Sequence, residues 1–183
     1  MNPPSVVPSV PGPSGEDHQP HSRAATETPP TEEPHWLTPV EDRAWRSWIA
    51  ASARLFSNIE RDLRRDSDLT FDDYEVLVRL SETPGRRMRL SRLASEVNQS
   101  PSRLSQRLDR LGARGMVGRV RCEEDRRGFW AELTPYGLAT LEEAAPHHLR
   151  SVRANLIDRL SPGEIEDLAR ILGRLAREIP KAT

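Results

Sequence analysis

Residues 90–134 constrain the fold most, because two short helix patterns and a pair of strands follow one another with almost no linker. A one-sided apolar pattern over 91–98 predicts a first short helix, and a second such pattern predicts a helix over 101–113. Apolar and polar residues then alternate over 116–122 and 129–134 around a charged turn, which predicts a β-hairpin. A helix-turn-helix followed directly by a hairpin is the arrangement of a winged helix.

The second helix of this unit has two chemically different faces. Leu104, Leu108 and Leu111 lie together at about 100° per residue and are the predicted buried side. The opposite side carries Ser102, Arg103, Gln106 and Arg110, with Arg107 at its flank. Arginine can pair with guanine and glutamine with adenine in the major groove, while Ser100, Ser102 and the free amides of the first turn can hold a phosphate. An ordinary solvated helix surface carries the same residue types and remains the alternative.

The predicted hairpin places two adjacent arginines at its tip. Arg126 and Arg127 stand between Asp125 and Gly128. An arginine at this place can enter a narrow minor groove next to the major groove that the helix contacts. Asp125 is expected to orient one arginine, and Gly128 to allow the tight turn. A solvated turn with no partner is the simpler interpretation.

Charge is distributed unevenly along the chain. The formal net charge is −1, yet residues 86–127 contain twelve arginines and five acids. Residues 1–41 contain six acids and one arginine. A nearly neutral protein of this kind can therefore present a basic face, and basic faces attract polyanions such as nucleic acid.

Hydroxyl residues mark the helix starts, four of them followed by proline, which suits the first helical position. The predicted caps are Thr38, Thr70, Ser91, Ser100, Thr134 and Ser161, with Glu41 and Glu164 completing capping boxes. They divide the ordered part into helices over about 38–65, 71–82, 91–98, 101–113, 135–158 and 162–179. A short extended piece is expected near 87–90, and Pro146 should bend or interrupt the fifth helix.

The first and last helices carry narrow apolar seams that suit packing against other helices. The seam of the last helix comprises Ile165, Leu168, Leu172, Leu175 and Ile179, and that of the first comprises Trp45, Trp48, Ser52, Leu55 and Ile59. These seams predict dimerisation, with packing inside a single protomer as the alternative. The predicted fold class is mainly α with a small β-hairpin wing, a winged helix-turn-helix with N- and C-terminal dimerisation helices.

The stretches "LSRLASEVNQSPSRLSQRLDRLGARGMVGRV" (90–120) and "DRRGFWAELTPYG" (125–137) resemble the MarR (multiple antibiotic resistance regulator) transcription factors. The resemblance covers about residues 38–180 and implies a winged-helix homodimer on pseudo-palindromic DNA, usually a repressor released by a small ligand or by oxidation. Two features depart from the family pattern, the acidic N-terminal tail and the bulky Phe129–Trp130 after the wing tip. On matching positions, the recognition helix holds Ser100, Ser102, Arg103, Gln106 and Arg107, and the wing holds Arg126 and Arg127.

The domain organisation follows from composition and from this resemblance. Residues 1–36 form an acidic, proline-rich tail that is expected to be disordered, because it has too little apolar surface to offset its ordering entropy. A MarR-type winged-helix domain is expected over 37–183, with dimerisation helices at about 38–65 and 135–179 and a DNA-binding lobe at about 70–134. The resemblance also implies an effector pocket, lined by Trp45, Trp48, Phe56 and Tyr74, although these residues suit a core or a dimer interface equally well.

Other classes of protein fit the sequence less well. No phosphate loop or nucleophile elbow is present, so we expect no enzyme and no cofactor. His147 and His148 are adjacent and diverge on a helix, which makes them predicted surface residues and no metal site. Cys122 precedes three acids and is interpreted as a passive strand residue.

The expected partners and location follow from these exclusions. The N-terminus does not resemble a signal peptide, and no apolar stretch is long enough for a membrane helix, so a cytoplasmic location is expected. The predicted partners are double-stranded DNA, a second copy of the chain and a small-molecule effector. A helical adaptor that uses its winged helix to bind protein remains the alternative function.

Overall fold

The computed structural model describes residues 35–122 and 128–180, and the described residues from Leu37 onward belong to one compact unit. The predicted tail over 1–36 therefore lies outside the described residues, apart from its last two positions. The helices are α1 Pro39–Ser67, α2 Phe71–Ser81, α3 Leu90–Glu96, α4 Pro101–Ala113, α5 Pro135–Asn155 and α6 Pro162–Glu178. The strands are β1 Arg87–Arg89, β2 Val117–Arg121 and β3 Phe129–Leu133. The predicted fold class is confirmed.

Side-chain caps begin most of the helices, as predicted. The confirmed caps, each accepting a hydrogen bond from the third backbone amide of its helix, are Thr38, Thr70, Ser100, Thr134 and Ser161. The prediction for Ser91 is wrong, because α3 begins one residue earlier, at Leu90, with Arg89 at the N-cap. The two predicted capping boxes are present, and Asp73 closes a third one with Thr70.

The fifth helix runs through its internal proline. Pro146 was expected to bend or interrupt it, but α5 is one helix of 21 residues with Pro146 inside. A proline lacks an N–H, so one bond of the helical ladder is lost there. The helix ends at Asn155, earlier than predicted, and a short 3₁₀ turn at Ile157–Arg159 leads towards α6.

The three strands form an antiparallel sheet in the order β1-β3-β2. Met88 pairs with Ala131, and Val117 pairs with Leu133, so these apolar side chains share the buried face. The turn between α3 and α4 uses Asn98 in the left-handed region, at φ 50°. Gly115, at φ 73°, ends α4 and starts the chain towards β2.

One apolar core joins the helix-turn-helix to the sheet and to the neighbouring helices. Its fully buried members include Leu63, Leu69, Leu77, Leu80, Leu93, Leu104, Leu108, Leu111 and Met116. The three leucines of α4 belong to this core, so the opposite side of α4 must face outward. The core thus determines which side of α4 is available to a partner.

Candidate nucleic-acid interface

The outward side of α4 presents exposed polar side chains, three of which have no partner in the described part of the chain. Leu104, Leu108 and Leu111 are each 1% exposed, whereas Ser102, Arg103, Gln106 and Arg110 are all exposed. Within residues 35–122 and 128–180, the side chains of Arg103, Gln106 and Arg110 make no hydrogen bond or ion pair. The predicted faces of this helix are therefore correct, and three long donor side chains on it are available for an external acceptor.

The start of α4 offers a second kind of donor. The Ser100 hydroxyl accepts a hydrogen bond of 3.4 Å from the Arg103 amide and lies 3.3 Å from the Ser102 hydroxyl. Both serines are exposed. Exposed hydroxyls and amides at a helix N-terminus are suited to an anion such as a backbone phosphate.

Arg107 lies at the flank of the outward face, as the helical angle predicts, but its side chain does not extend towards that face. Its side chain is only 12% exposed and turns away from the outward face towards the start of α2. Its guanidinium binds Asp72 and Asp73, each at 2.6 Å, and also donates to Thr70 and Gln99. The prediction of a DNA contact for Arg107 is therefore at odds with this geometry, because its donor groups are already used inside the protein.

Strand β2 is fixed to α4 by an arginine that the sequence analysis did not identify. Arg119 donates to the Ser105 carbonyl at 2.6 Å and forms an ion pair with Asp109 at 3.0 Å. Both acceptors belong to α4. The strand that leads to the hairpin tip is thereby held against the helix that presents Arg103 and Gln106.

The hairpin is described up to the base of its tip. The Cys122 amide donates to the Gly128 carbonyl at 2.9 Å, and Cys122 itself is buried directly after β2. The predicted DNA contacts Arg126 and Arg127, and the predicted support Asp125, lie outside the described residues. Their roles stay predictions.

The two aromatic residues that depart from the family pattern stack with arginines. Trp130 has the guanidinium carbons of Arg87 and Arg89 each 5.2 Å from its ring centroid. Phe129 has that of Arg121 at 5.9 Å. Cation–π contacts of this kind stabilise the strands at the base of the hairpin.

An open apolar groove of about 700 Å³ lies among α1, α5 and α6. Of the four residues predicted to line an effector pocket, Trp48 and Phe56 line this groove. Trp45 is 56% exposed and does not line it, and Tyr74 is buried behind it. Two of the four predicted lining residues thus line this groove, and its role as an effector pocket stays a prediction. The acidic lining residues are Glu75, Glu164 and Asp167, and among the described lining residues no lysine or arginine balances them.

His148 also lines the groove, which contradicts its prediction as a surface residue. Its ring packs against Tyr74, with centroids 4.3 Å apart, and against Phe71 at 6.4 Å. This burial lowers the pKa of His148, because desolvation disfavours the charged imidazolium. The apolar stripe of Leu141, Ala144 and Val152 on the same helix was a signal that His148 faces inward.

The predicted dimerisation residues lie on an unpartnered surface. Helix α6 contains no buried residue, and Leu175 and Ile179 are 36% and 62% exposed. Ile165, Leu168 and Leu172 are partly buried. Helix α1 adds exposed apolar side chains at Trp45, Trp48 and Ile49. Exposed apolar surface of this extent indicates a protein partner.

None of the helices over 35–122 and 128–180 is long and apolar enough to cross a membrane. In the same part of the chain, no group of three or more His, Cys, Asp or Glu side chains is placed to hold a metal ion.

Comparison with known proteins identifies relatives of this arrangement. The model of the MarR family matches residues 69–129. The HTH-type transcriptional repressor YetL of Bacillus subtilis (strain 168) is 29% identical over 102 residues, which cover 56% of this chain and 60% of YetL. The match therefore spans less than two thirds of that repressor.

Two solved structures match over more of their length. AbsC, a MarR family transcriptional regulator from Streptomyces coelicolor, is 44% identical with a TM-score of 0.74, over 79% of this chain and 97% of AbsC. Sco3205, a MarR family transcriptional regulator from the same organism solved in complex with DNA, is 39% identical with a TM-score of 0.76. That match covers 79% of this chain and 91% of Sco3205.

Proposed function

The chain belongs to the MarR family of transcription regulators, and from this premise we propose that it binds a pseudo-palindromic operator as a homodimer and represses transcription. The observation that carries the proposal is the outward face of α4, where Arg103 and Gln106 are exposed and have no partner in the described part of the chain. Their chemistry suits base edges, with arginine on guanine and glutamine on adenine. We place the protein in the cytoplasm, in a regulatory and not a catalytic role.

Phosphate contacts would fix the helix on the duplex. The hydroxyls of Ser100 and Ser102 and the Ser102 amide would hold one phosphate, since Pro101 has no N–H and the Arg103 amide already donates to Ser100. Arg126 and Arg127, which stand between β2 and β3 in the sequence, would enter the adjacent minor groove. Contacts of this kind set orientation and register, while the base contacts of α4 give sequence preference.

Dimerisation would pair two such units. The exposed apolar residues of α1 and α6 supply a surface that a second copy can cover, including Leu175 and Ile179. A two-fold dimer places its two recognition helices in successive major grooves, so half-sites about 10 base pairs apart are expected. This spacing is the reason for expecting an inverted repeat.

The groove is the proposed place of effector control. It combines apolar lining, including Trp48 and Phe56, with acidic side chains and the partly buried His148. A neutral or cationic apolar molecule suits this lining better than an anion, because an anion would face three carboxylates without a compensating cation from the lining.

Selection of bound sites from a random duplex pool tests the DNA-binding proposal. We expect the wild-type dimer to enrich an inverted repeat at moderate salt. Arg103→Ala should then weaken binding to that repeat by about 1–3 kcal/mol and relax the preference at one base position in each half-site. Arg153→Ala is the control, since it removes an exposed arginine near the end of α5, far along the chain from α4, where it forms an ion pair with Asp158.

The outcomes separate the competing functions. Binding that is weak, salt-sensitive and equal for all sequences would contradict sequence-specific repression. Binding of protein partners without enrichment of any duplex would instead support a helical adaptor, which the comparisons do not favour.

A further inference from the structure

We infer that Arg107 is a positioning residue that sets DNA specificity, because it holds α4 at the angle at which Arg103 and Gln106 meet the bases. The inference rests on the proposed function and assigns to Arg107 a role different from DNA contact. It concerns the link between α4 and the N-terminal end of α2, made by Arg107 with Asp72, Asp73 and Thr70. We call this group of four residues the α2–α4 clamp.

The contacts of Arg107 use all three guanidinium nitrogens. Nη1 donates to Asp73 at 2.6 Å and to the Thr70 hydroxyl at 3.0 Å. Nη2 donates to Asp72 at 2.6 Å, and Nε donates to Gln99 at 3.2 Å. Gln99 belongs to the turn before α4, so the same side chain joins α2, the turn and the recognition helix.

The clamp is built onto the cap of α2. The Thr70 hydroxyl accepts from the Asp73 amide at 3.0 Å, and the Asp73 carboxylate accepts from the Thr70 amide at 3.2 Å. Both capping groups also bind Arg107. Displacement of Arg107 would therefore disturb the start of α2 as well as the middle of α4.

Burial makes this geometry specific. The side chains of Arg107 and Asp73 are only 12% and 9% exposed, so Arg107 cannot turn to water without leaving the Asp73 carboxylate unpaired in a poorly solvated place. The leucines on the inner side of α4 hold it by packing, which tolerates small rotations better than a forked ion pair does. Arg107 thus selects one rotation of α4 among those that the core allows.

The rotation of α4 matters at the bases. Arg103 precedes Arg107 by one helical turn, and Gln106 is its immediate neighbour. A rotation about the helix axis moves both side chains relative to the base edges that they must meet in hydrogen-bond geometry. Loss of the clamp should therefore weaken binding to the preferred site more than binding to random DNA.

A direct phosphate contact by Arg107 predicts different results. In that case Asp73→Asn would leave binding equal or tighter, because it removes a negative charge and frees Arg107. Loss of Arg107 itself would lower the salt dependence, by about 0.9 in the slope of log K against log salt for each protomer. A Lys at this position would preserve much of the contact, since an ammonium also binds a phosphate.

The experiment uses the full chain and the inverted repeat that the wild type enriches from the random pool. Dissociation constants for this duplex and for a random duplex of equal length are measured between about 50 and about 200 mM salt, over the range in which phosphate contacts show clearly. The variants are Arg107→Gln, Arg107→Lys and Asp73→Asn, with Arg153→Gln as control. Stoichiometric titration with DNA counts the active fraction, so that loss of folded protein is not mistaken for loss of affinity.

We expect Arg107→Gln, Arg107→Lys and Asp73→Asn each to lower the ratio of specific to random affinity by about tenfold, as for one lost base contact. The salt slope should stay at the wild-type value, and Arg153→Gln should leave both quantities unchanged. A lower slope for Arg107→Gln, or wild-type specificity in Asp73→Asn, would overturn the clamp. If the wild type enriched no site, the proposed function would fail and the clamp with it. If it enriched a site that the variants bind equally well, only the clamp would fail.

Discussion

Gly137 lies in the first turn of α5 against the backbone of Met116, and we expect Gly137→Ala to destabilise the protein strongly. A Cβ at this position would lie 2.1 Å from the Met116 carbonyl oxygen and 2.9 Å from Cδ1 of Leu133. The oxygen belongs to the backbone, so it cannot rotate away as the end of a flexible side chain would. About 1 Å of displacement is needed to restore van der Waals contact.

The same carbonyl oxygen is a hydrogen-bond acceptor, which increases the cost of moving it. It accepts from the Thr134 amide and from the Thr134 hydroxyl, both at 3.0 Å. Overpacking costs about 1–3 kcal/mol, and each weakened hydrogen bond costs about 1 kcal/mol. Alanine regains about 1 kcal/mol of helix propensity. We therefore expect the free energy of unfolding to fall by about 3 kcal/mol.

Urea unfolding followed by circular dichroism, at one fixed protein concentration, measures this change. Gly163→Ala is the matched control, because a Cβ at Gly163 in the first turn of α6 would meet nothing within 4 Å. We expect it to leave stability unchanged or to raise it by up to about 1 kcal/mol. Equal stability of the two variants would refute the argument that the Met116 backbone excludes a side chain at Gly137.

Three further changes test other parts of the structure. Leu108→Ala removes a core side chain that is 1% exposed and should lower the free energy of unfolding by about 2–5 kcal/mol in urea; a loss below 1 kcal/mol would contradict its burial. Leu172→Glu places a charge on the apolar seam of α6 and should shift the dimer towards monomer in sedimentation velocity, whereas an unchanged dimer would place the interface elsewhere. Burial lowers the pKa of His148 below its ordinary value of about 6.5, so the unfolded chain binds its proton more readily than the folded protein does. The contribution of neutral, buried His148 to the free energy of unfolding is therefore fully present above about pH 6.5. This contribution is lost as the pH falls from about 6.5 through the lowered pKa of the folded protein. His148→Gln should flatten this acid-side decline in unfolding experiments at a series of pH values, and a parallel decline in both proteins would contradict it.

The helix starts were predictable because each depends on a few consecutive residues. The Thr134 hydroxyl accepts a hydrogen bond from the Gly137 amide, and Pro135 occupies the first helical position. The cap and the helix start can therefore be predicted from four consecutive residues. The buried face of α4 was equally predictable from the sequence, since Leu104, Leu108 and Leu111 recur at the helical period. The cap prediction for Ser91 was wrong because β1 runs directly into α3. The last residue of β1, Arg89, is therefore the N-cap, and it makes no side-chain cap bond.

Contacts between distant residues were not predictable in the same way. The helical angle of Arg107 places it at the edge of the outward face, and only the position of Asp72 and Asp73 in the folded chain turns it inward. The ion pair of Arg119 with Asp109 likewise joins a strand to a helix with no local signal. The inward position of His148 was predictable, because this residue lies on the same side of α5 as the apolar stripe that packs on the core.

These distant contacts change what the charge distribution means. The twelve arginines of residues 86–127 suggest a strongly basic surface, yet Arg107, Arg114 and Arg119 each form an ion pair with an acid of the same chain. The acids that bind Arg107 and Arg114 lie before that window, at the start of α2 and at the end of α1, so a count over the window alone omits them. The arginines of the lobe therefore divide into those that hold α4 and the hairpin in place and those, such as Arg103, that face outward without a described partner. A salt slope well below the arginine count would follow from this division, since only the outward group releases counterions on binding DNA.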